Sequence, residues 1–136
     1  MRVAIVSRHK DTISLLKTMF DPAYDKIDVF EHIEDPKQLD NYDVIAGNIP
    51  LSMFLRTRAT HLILVSLNVP KELKGKELSL NELKKYAEFV AIYKNIEFDK
   101  WYPEKKAKAV ANVDMLLVDD IKLVINEIRT RVEGYN

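Results

Sequence analysis

Apolar and polar positions along the chain alternate between the period of strands and the period of helices. Residues Arg2–Val6 form a short apolar run that reads as a buried strand. Ser7, Arg8, His9 and Lys10 follow, and then Ile13, Leu16 and Phe20 recur at helical spacing. That spacing predicts a helix from about Asp11 or Thr12 to Phe20, capped by one of those two residues and stopped by Asp21-Pro22. Lys26–His32 reads as a second strand, with Ile27 and Val29 inward and Phe30 a further candidate. Asp35-Pro36 opens a short turn or helix through Leu39. Tyr42–Ala46 reads as a third strand, ended by Gly47-Asn48-Ile49-Pro50, and Pro50 can start a short helix over Leu51–Arg58. His61–Leu67 is almost continuously apolar, as suits a strand at a sheet centre. Ser79-Leu80-Asn81-Glu82 has the form of a capping box and predicts a helix through about Tyr86.

Beyond this point Glu88–Phe98 alternates and is rich in β-formers, which predicts a fifth strand. Asp99–Ala109 is polar, with Trp101, Tyr102, Pro103 and several lysines. Leu117, Ile121, Val124, Ile128 and Val132 share one helical face, and Gly134 stops that helix. The pattern leaves open whether Met115–Val118 is a short strand or part of the helix. Strand–helix alternation implies crossover connections and a mainly parallel sheet with helices on both faces, so the expected fold is a single α/β, Rossmann-like domain. Residues 1–98 are its expected core, and 99–136 an extension packed on the core or on a dimer interface.

Composition narrows the possibilities. A length of 136 residues suits one domain with a genuine core, and 47% apolar with 31% charged residues is the balance of a globular chain. A formal net charge of +0 argues against a general duplex-DNA surface, which carries a basic excess. The absence of Cys excludes disulfides, thiolate metal sites and a Cys nucleophile. No apolar run reaches the length of a membrane span, and Met1-Arg2-Val3 leads directly into a strand without a signal peptide, so a cytoplasmic protein is the simplest expectation.

Three polar segments stand at predicted strand ends, where open α/β sheets bind ligands. Ser7-Arg8-His9-Lys10 combines hydroxyl, guanidinium, imidazole and ammonium at a helix N-terminus, which favours a phosphate site over a solvated turn with an ordinary helix start. Gly47-Asn48 offers close backbone approach and an amide donor and acceptor, although a plain tight turn explains it equally well. Ser66 and Asn68 interrupt the apolar fourth strand, and Lys74 and Lys76 flank Gly75 in a loop that could close over a ligand. His32 and His61 read as satisfied structural histidines, and Asp119-Asp120 as a helix start or solvated turn rather than a Mg²⁺ site. Trp101 and Tyr102 could stack on a base, with packing the better default. No carboxylate and histidine set has metal-ligand spacing, so neither a structural metal nor a cofactor is expected.

The same segments carry a family resemblance. Val-Ser-Arg-His near the start, Ala-Gly-Asn-Ile-Pro after the third strand, and Val-Ser-Leu-Asn-Val-Pro with Lys-Gly-Lys-Glu-Leu-Ser resemble the Csx-sixteen family associated with type III CRISPR systems. The ordered set spans about Met1–Tyr93. Ser7 stands where that family usually has Thr, Asn48 where it has Thr, Asn68 where it has Asp, and Lys74 where it has Arg. The resemblance implies a domain related to the CARF sensors and a metal-independent ring nuclease that cleaves cyclic tetra-adenylate as a homodimer. In that chemistry a ribose 2′-OH attacks the adjacent phosphorus in line. Arg8 would stabilise the developing charge with Lys10 in support, and His9 would serve as general acid or base. Ser7 and Asn48 would position phosphate or ribose, with Gly47, Ser66, Asn68 and Lys74 completing the ligand site. A second reading is a module that binds the ring without cutting it. A receiver domain fits poorly, because it needs acidic residues where this chain has Ser7-Arg8-His9-Lys10. A plain structural subunit would bind no small molecule.

Overall fold

The computed structural model describes residues 1–95, 100–102, 107–109 and 112–134. Four strands at its heart run parallel: β1 (Arg2–Val6), β2 (Lys26–Phe30), β3 (Val44–Gly47) and β4 (His61–Leu67). Two more, β5 (Ala87–Asn95) and β8 (Asn112–Val118), extend the sheet to the order β2-β1-β3-β4-β5-β8. A separate two-stranded ribbon pairs β6 (Lys100–Tyr102) with β7 (Ala107–Ala109). The helices are α1 (Lys10–Met19), α2 (Leu51–Arg56), α3 (Leu80–Tyr86) and α4 (Ile121–Glu133), with short 3-10 turns at Pro36–Leu39 and Lys71–Leu73. The expected α/β, Rossmann-like architecture is therefore present.

Strand alternation divides the core into two layers. Val3, Ile5, Val44, Ala46, Ile63 and Val65 face α1 and α4, meeting Leu15, Leu16, Ile125 and Ile128. Ala4, Val6, Ile45 and Leu62 face the other way, onto Leu39 of the first 3-10 turn and Phe54 of α2. The chain leaves β1 toward β2 on one side and returns to β3 on the other. Crossovers of one hand, taken in opposite directions, put their connecting segments on opposite faces. The gap between β1 and β3 is thus the topological switch point, where strand-end loops diverge and leave a crevice.

Several elements depart from the sequence pattern. The helix after β1 begins at Lys10, with His9 at the N-cap and no side-chain cap, rather than being capped by Asp11 or Thr12. Ser7 Oγ accepts the His9 N–H at 3.1 Å, which bends the chain early and starts the helix sooner. β2 ends at Phe30, and Val29 is exposed because this edge strand outruns the cover of α1, whereas Ile27 and Phe30 do pack inward. The third strand is shifted, from Tyr42–Ala46 to Val44–Gly47, while Tyr42 is held by its hydroxyl donating to Asp28 at 2.7 Å. α2 stops at Arg56 because Thr57 donates both its N–H and its hydroxyl to the Phe54 carbonyl.

β5 is antiparallel to β4, not parallel. The excursion between them leaves and returns at one end of the sheet, where the Asn68 N–H donates to the Tyr86 carbonyl at 2.9 Å. A seven-residue helix followed at once by a strand cannot carry the chain to the opposite rim. Ser79 and Glu82 do form the expected capping box of α3. Residues 115–118 belong to β8, so Leu117 lies on an edge strand at 75% exposure and not on the face of α4. The part of the predicted fifth strand beyond Asn95 lies outside the described residues, as do the side chains of Trp101 and Tyr102.

α4 is fastened at its far end by a buried ion pair. Asp25 accepts from Arg129 Nε at 2.9 Å and Nη2 at 2.5 Å, and its Oδ2 also takes the Asp21 N–H at 3.1 Å. Burial by itself would raise the Asp25 carboxyl, but the Arg129 hydrogen bonds, the Asp21 N–H and the nearby positive charge outweigh it and hold the group below its ordinary value.

One glycine fixes the sheet at its centre. Gly47 has φ of +131°, and a Cβ built there would stand 2.1 Å from the Val6 carbonyl oxygen. Backbone meets backbone at this point, so no rotamer change relieves the overlap. Gly47→Ala is expected to destabilise the protein by about 4 kcal/mol or more. Urea unfolding of the variant beside the wild type checks this; a loss within the ordinary surface range would show that β1 and β3 can separate freely.

Candidate binding cleft at the switch point

The loops after β1, β2, β3 and β4 meet along one rim of the sheet, at the carboxyl ends of the parallel strands. A cavity of about 300 Å³ is lined by Ser7, Arg8, His9, Glu31, His32 and Asn48 over a floor of Ile33, Ile49, Pro50 and Met53. A second, of about 480 Å³, is lined by His9, Asp11, Thr12, Asn48, Ser66 and Asn68. His9 and Asn48 line both, so the two cavities adjoin and form one cleft with two lobes.

Each side chain is placed by an identifiable contact. Ser7 is buried, donates its N–H to the Phe30 carbonyl at 3.1 Å, and takes the His9 N–H on its hydroxyl oxygen. Its own hydroxyl proton stays available to a ligand. Arg8 reaches His32 Nδ1 with a guanidinium N–H at 3.2 Å. The N-terminus of α1 opens here without a side-chain cap, leaving first-turn N–H groups and positive dipole character at the cleft. Asn48 N–H donates to the Val6 carbonyl at 3.1 Å. Its side-chain nitrogen, assigned from the surrounding acceptors, donates to the Val65 carbonyl at 2.9 Å, which leaves the amide oxygen as the free acceptor. β1, β3 and β4 are laced together at their ends by this one residue.

Seven of the nine sequence-derived site residues therefore gather at the cleft. Ser7, Arg8, His9, Asn48, Ser66 and Asn68 line it, and Gly47 lies beneath Asn48 as the close-approach point. Lys10 is the exposed first residue of α1, and Lys74 sits on the exposed loop after the second 3-10 turn; neither lines a lobe. Glu31 and His32 were not anticipated as lining residues. The signal for them was parallel register: Val6 pairs with Phe30, so residues two further along each strand, Arg8 and His32, emerge side by side. Among the described residues no cluster of three His, Asp or Glu has the form of a metal site. No helix among them is long and apolar enough to cross a membrane.

The opposite rim holds a different polar group. His61 is buried, with Nδ1 2.7 Å from the Thr60 hydroxyl and its ring stacked 6.1 Å from that of Tyr93. Burial first, and the Arg131 charge second, lower its pKa to about 4 against the opposing pull of Asp43. Nearby, Lys94 donates to the Thr57 carbonyl at 2.6 Å and lies 4.5 Å from the Phe54 ring centre, and burial lowers it to about 8. His61 is thus the structural histidine that the sequence suggested, neutral and packed.

The chain is a Rossmann-like α/β domain with a polar cleft at its β1/β3 switch point, the place where open α/β sheets bind their ligands. The sequence model described as "Putative CRISPR-associated protein (Cas_VVA1548)" matches residues 4–96, and the chain belongs to that family of CRISPR-associated proteins. No curated protein and no solved structure matches the chain.

A pH dependence of stability follows from His61. Its folded pKa lies below the ordinary 6.5, so the unfolded chain takes up the proton first on acidification. The neutral form's contribution is complete above about pH 6.5 and is lost as pH falls through about 4, at most about 3 kcal/mol. Thermal unfolding of wild type and His61→Phe at pH 7 and pH 4 measures it. The expected result is a smaller acid-induced drop in Tm for the variant; equal drops would assign the acid sensitivity elsewhere.

Proposed function

We propose that this chain is a ring nuclease of type III CRISPR defence, which binds and cleaves cyclic tetra-adenylate and so ends signalling by that messenger inside the cell. The observation that carries the reading is the convergence of Arg8, His9, Asn48 and the uncapped start of α1 on one cleft. Membership of a CRISPR-associated family supplies the biological setting. The two lobes suit consecutive nucleotides with their shared phosphate between them, over His9.

Cleavage needs no atom from outside the RNA. The 2′-OH of one ribose attacks the adjacent phosphorus, the bond to the next 5′-oxygen breaks, and a 2′,3′-cyclic phosphate remains. The attacking hydroxyl loses a proton and the leaving oxygen gains one. His9, exposed at the shared wall of the lobes, is the group for these transfers. Arg8 and the α1 N–H groups meet the negative charge that builds at phosphorus, and holding the chain in line supplies the orientation term. Ser7 offers its hydroxyl proton, Asn48 its amide oxygen, and Ser66 and Asn68 line the second lobe. Lys10 and Lys74 add positive charge at the same rim. In a homodimer, two clefts related by a dyad would meet opposite sides of one symmetric ring.

With labelled ring in tenfold excess over protein, without added metal, the expected result is complete conversion to linear products ending in a cyclic phosphate. Retention of intact ring at fixed stoichiometry would instead identify a binding module, and no retention would end the proposal. Arg8→Ala is expected to lower cleavage about 10²–10³-fold and binding far less, since its charge matters most in the transition state. Equal loss of both would make Arg8 a binding residue only.

A further inference from the structure

The contact between Arg8 and His32 is used by nothing in the chemistry above. Arginine has no acceptor, so at 3.2 Å the Nδ1 of His32 must supply the lone pair, and the imidazole proton lies on Nε2. His32 therefore meets Arg8 as a neutral acceptor. A carboxylate is also at hand, since Glu31 lines the same lobe. Yet among the described residues no carboxylate pairs with Arg8 within 4.0 Å.

That choice of partner has a chemical consequence. Pairing with Glu31 would hold the guanidinium but cancel the charge an anionic ligand needs. A neutral imidazole holds it and cancels nothing. Arg8 is exposed and long, and fixing such a side chain on ligand binding costs conformational entropy that prior anchoring avoids. Strand register makes the anchor dependable. Val6 pairs with Phe30, the Ser7 N–H bonds the Phe30 carbonyl at 3.1 Å, and Arg8 and His32 continue from those residues on the α2 side of the sheet.

We infer that His32 is a positioning residue: its Nδ1 holds the Arg8 guanidinium toward the phosphate subsite while leaving its charge uncompensated. The inference rests on the proposed phosphodiester chemistry of the same cleft. The groups around the pair are Arg8 and His9 from the loop into α1, and Glu31 beside His32.

Single-turnover cleavage of cyclic tetra-adenylate by wild type, His32→Ala, His32→Gln, Arg8→Ala and the His32→Ala/Arg8→Ala double variant tests it. His32→Ala is expected to slow cleavage about tenfold, and His32→Gln, which keeps a neutral acceptor, to recover most of that loss. In the Arg8→Ala background, removing His32 should cost nothing more. The ¹⁵N spectrum of the His32 ring should show an unprotonated Nδ1 whose shift moves in Arg8→Ala, a signature that a merely structural role does not give. If wild type binds the ring without cutting it, affinity replaces rate in each comparison. Full additivity of the two alanine variants, or a glutamine variant as poor as the alanine one, would overturn the inference while leaving the proposed function standing. Wild type inert toward the ring in both assays would sink the function, and this role with it.

Discussion

The contact of Gly47 with the Val6 carbonyl is the constraint on which the cleft depends. The two backbones are close enough there that a single methyl group does not fit. Because they are, the Asn48 N–H can reach Val6 and the Asn48 side chain can reach Val65, so three strand ends are tied at one point. The loops after β1 and β3 then leave that point in opposite directions, toward opposite faces of the sheet. A crevice opens between them by topology, before any side chain is specified. The chemistry of the cleft comes from what those two loops carry.

Polar character divides between the two rims of the sheet. At the carboxyl ends of the parallel strands, Arg8, His9 and His32 are exposed and can meet a solute. At the opposite rim, His61 is stacked, buried and kept neutral, and Lys94 is drawn toward neutrality by the same loss of water. Two imidazoles read from sequence as equivalent bystanders therefore have different fates. His61 fills space in the α1-side layer, whereas His32 projects past the end of its strand. The difference is one of position along a strand, at its beginning or just beyond its end.

Local signals explain what was legible in the chain. Apolar runs placed β1 and β4 at their observed bounds, and Ser79 with Glu82 gave the start of α3, because each depends on neighbours within a few residues. The direction of β5 was not legible. Alternating residues look alike in a parallel and an antiparallel strand, and only the short span from α3 to Ala87 decides. Leu117 fell in phase with the helical face of α4 although β8 ends after it, at Val118. In the cleft, polar residues at strand ends were recognisable as such, so Ser7, Arg8, His9, Asn48, Ser66 and Asn68 could be picked out. His32 could not be paired with Arg8 without the β1–β2 register, which no one-dimensional pattern contains. Lys74 matched the chemistry of the site but sits on a loop whose path the sequence does not set.

The Asp25–Arg129 pair has a consequence for the order in which the core closes. Asp25 is buried at 4% exposure, and its guanidinium partner lies 104 residues later. Ile121, Ile125 and Ile128, which complete the α1-side layer, lie on the same helix as that partner. Without α4, α1 alone covers that face of the sheet, and the Met1 ammonium, 3.5 Å from Asp25 Oδ1, is the nearest countercharge left to the carboxylate. Docking of α4 completes that face and adds the guanidinium in one step, which couples apolar closure of the layer to neutralisation of its buried acid.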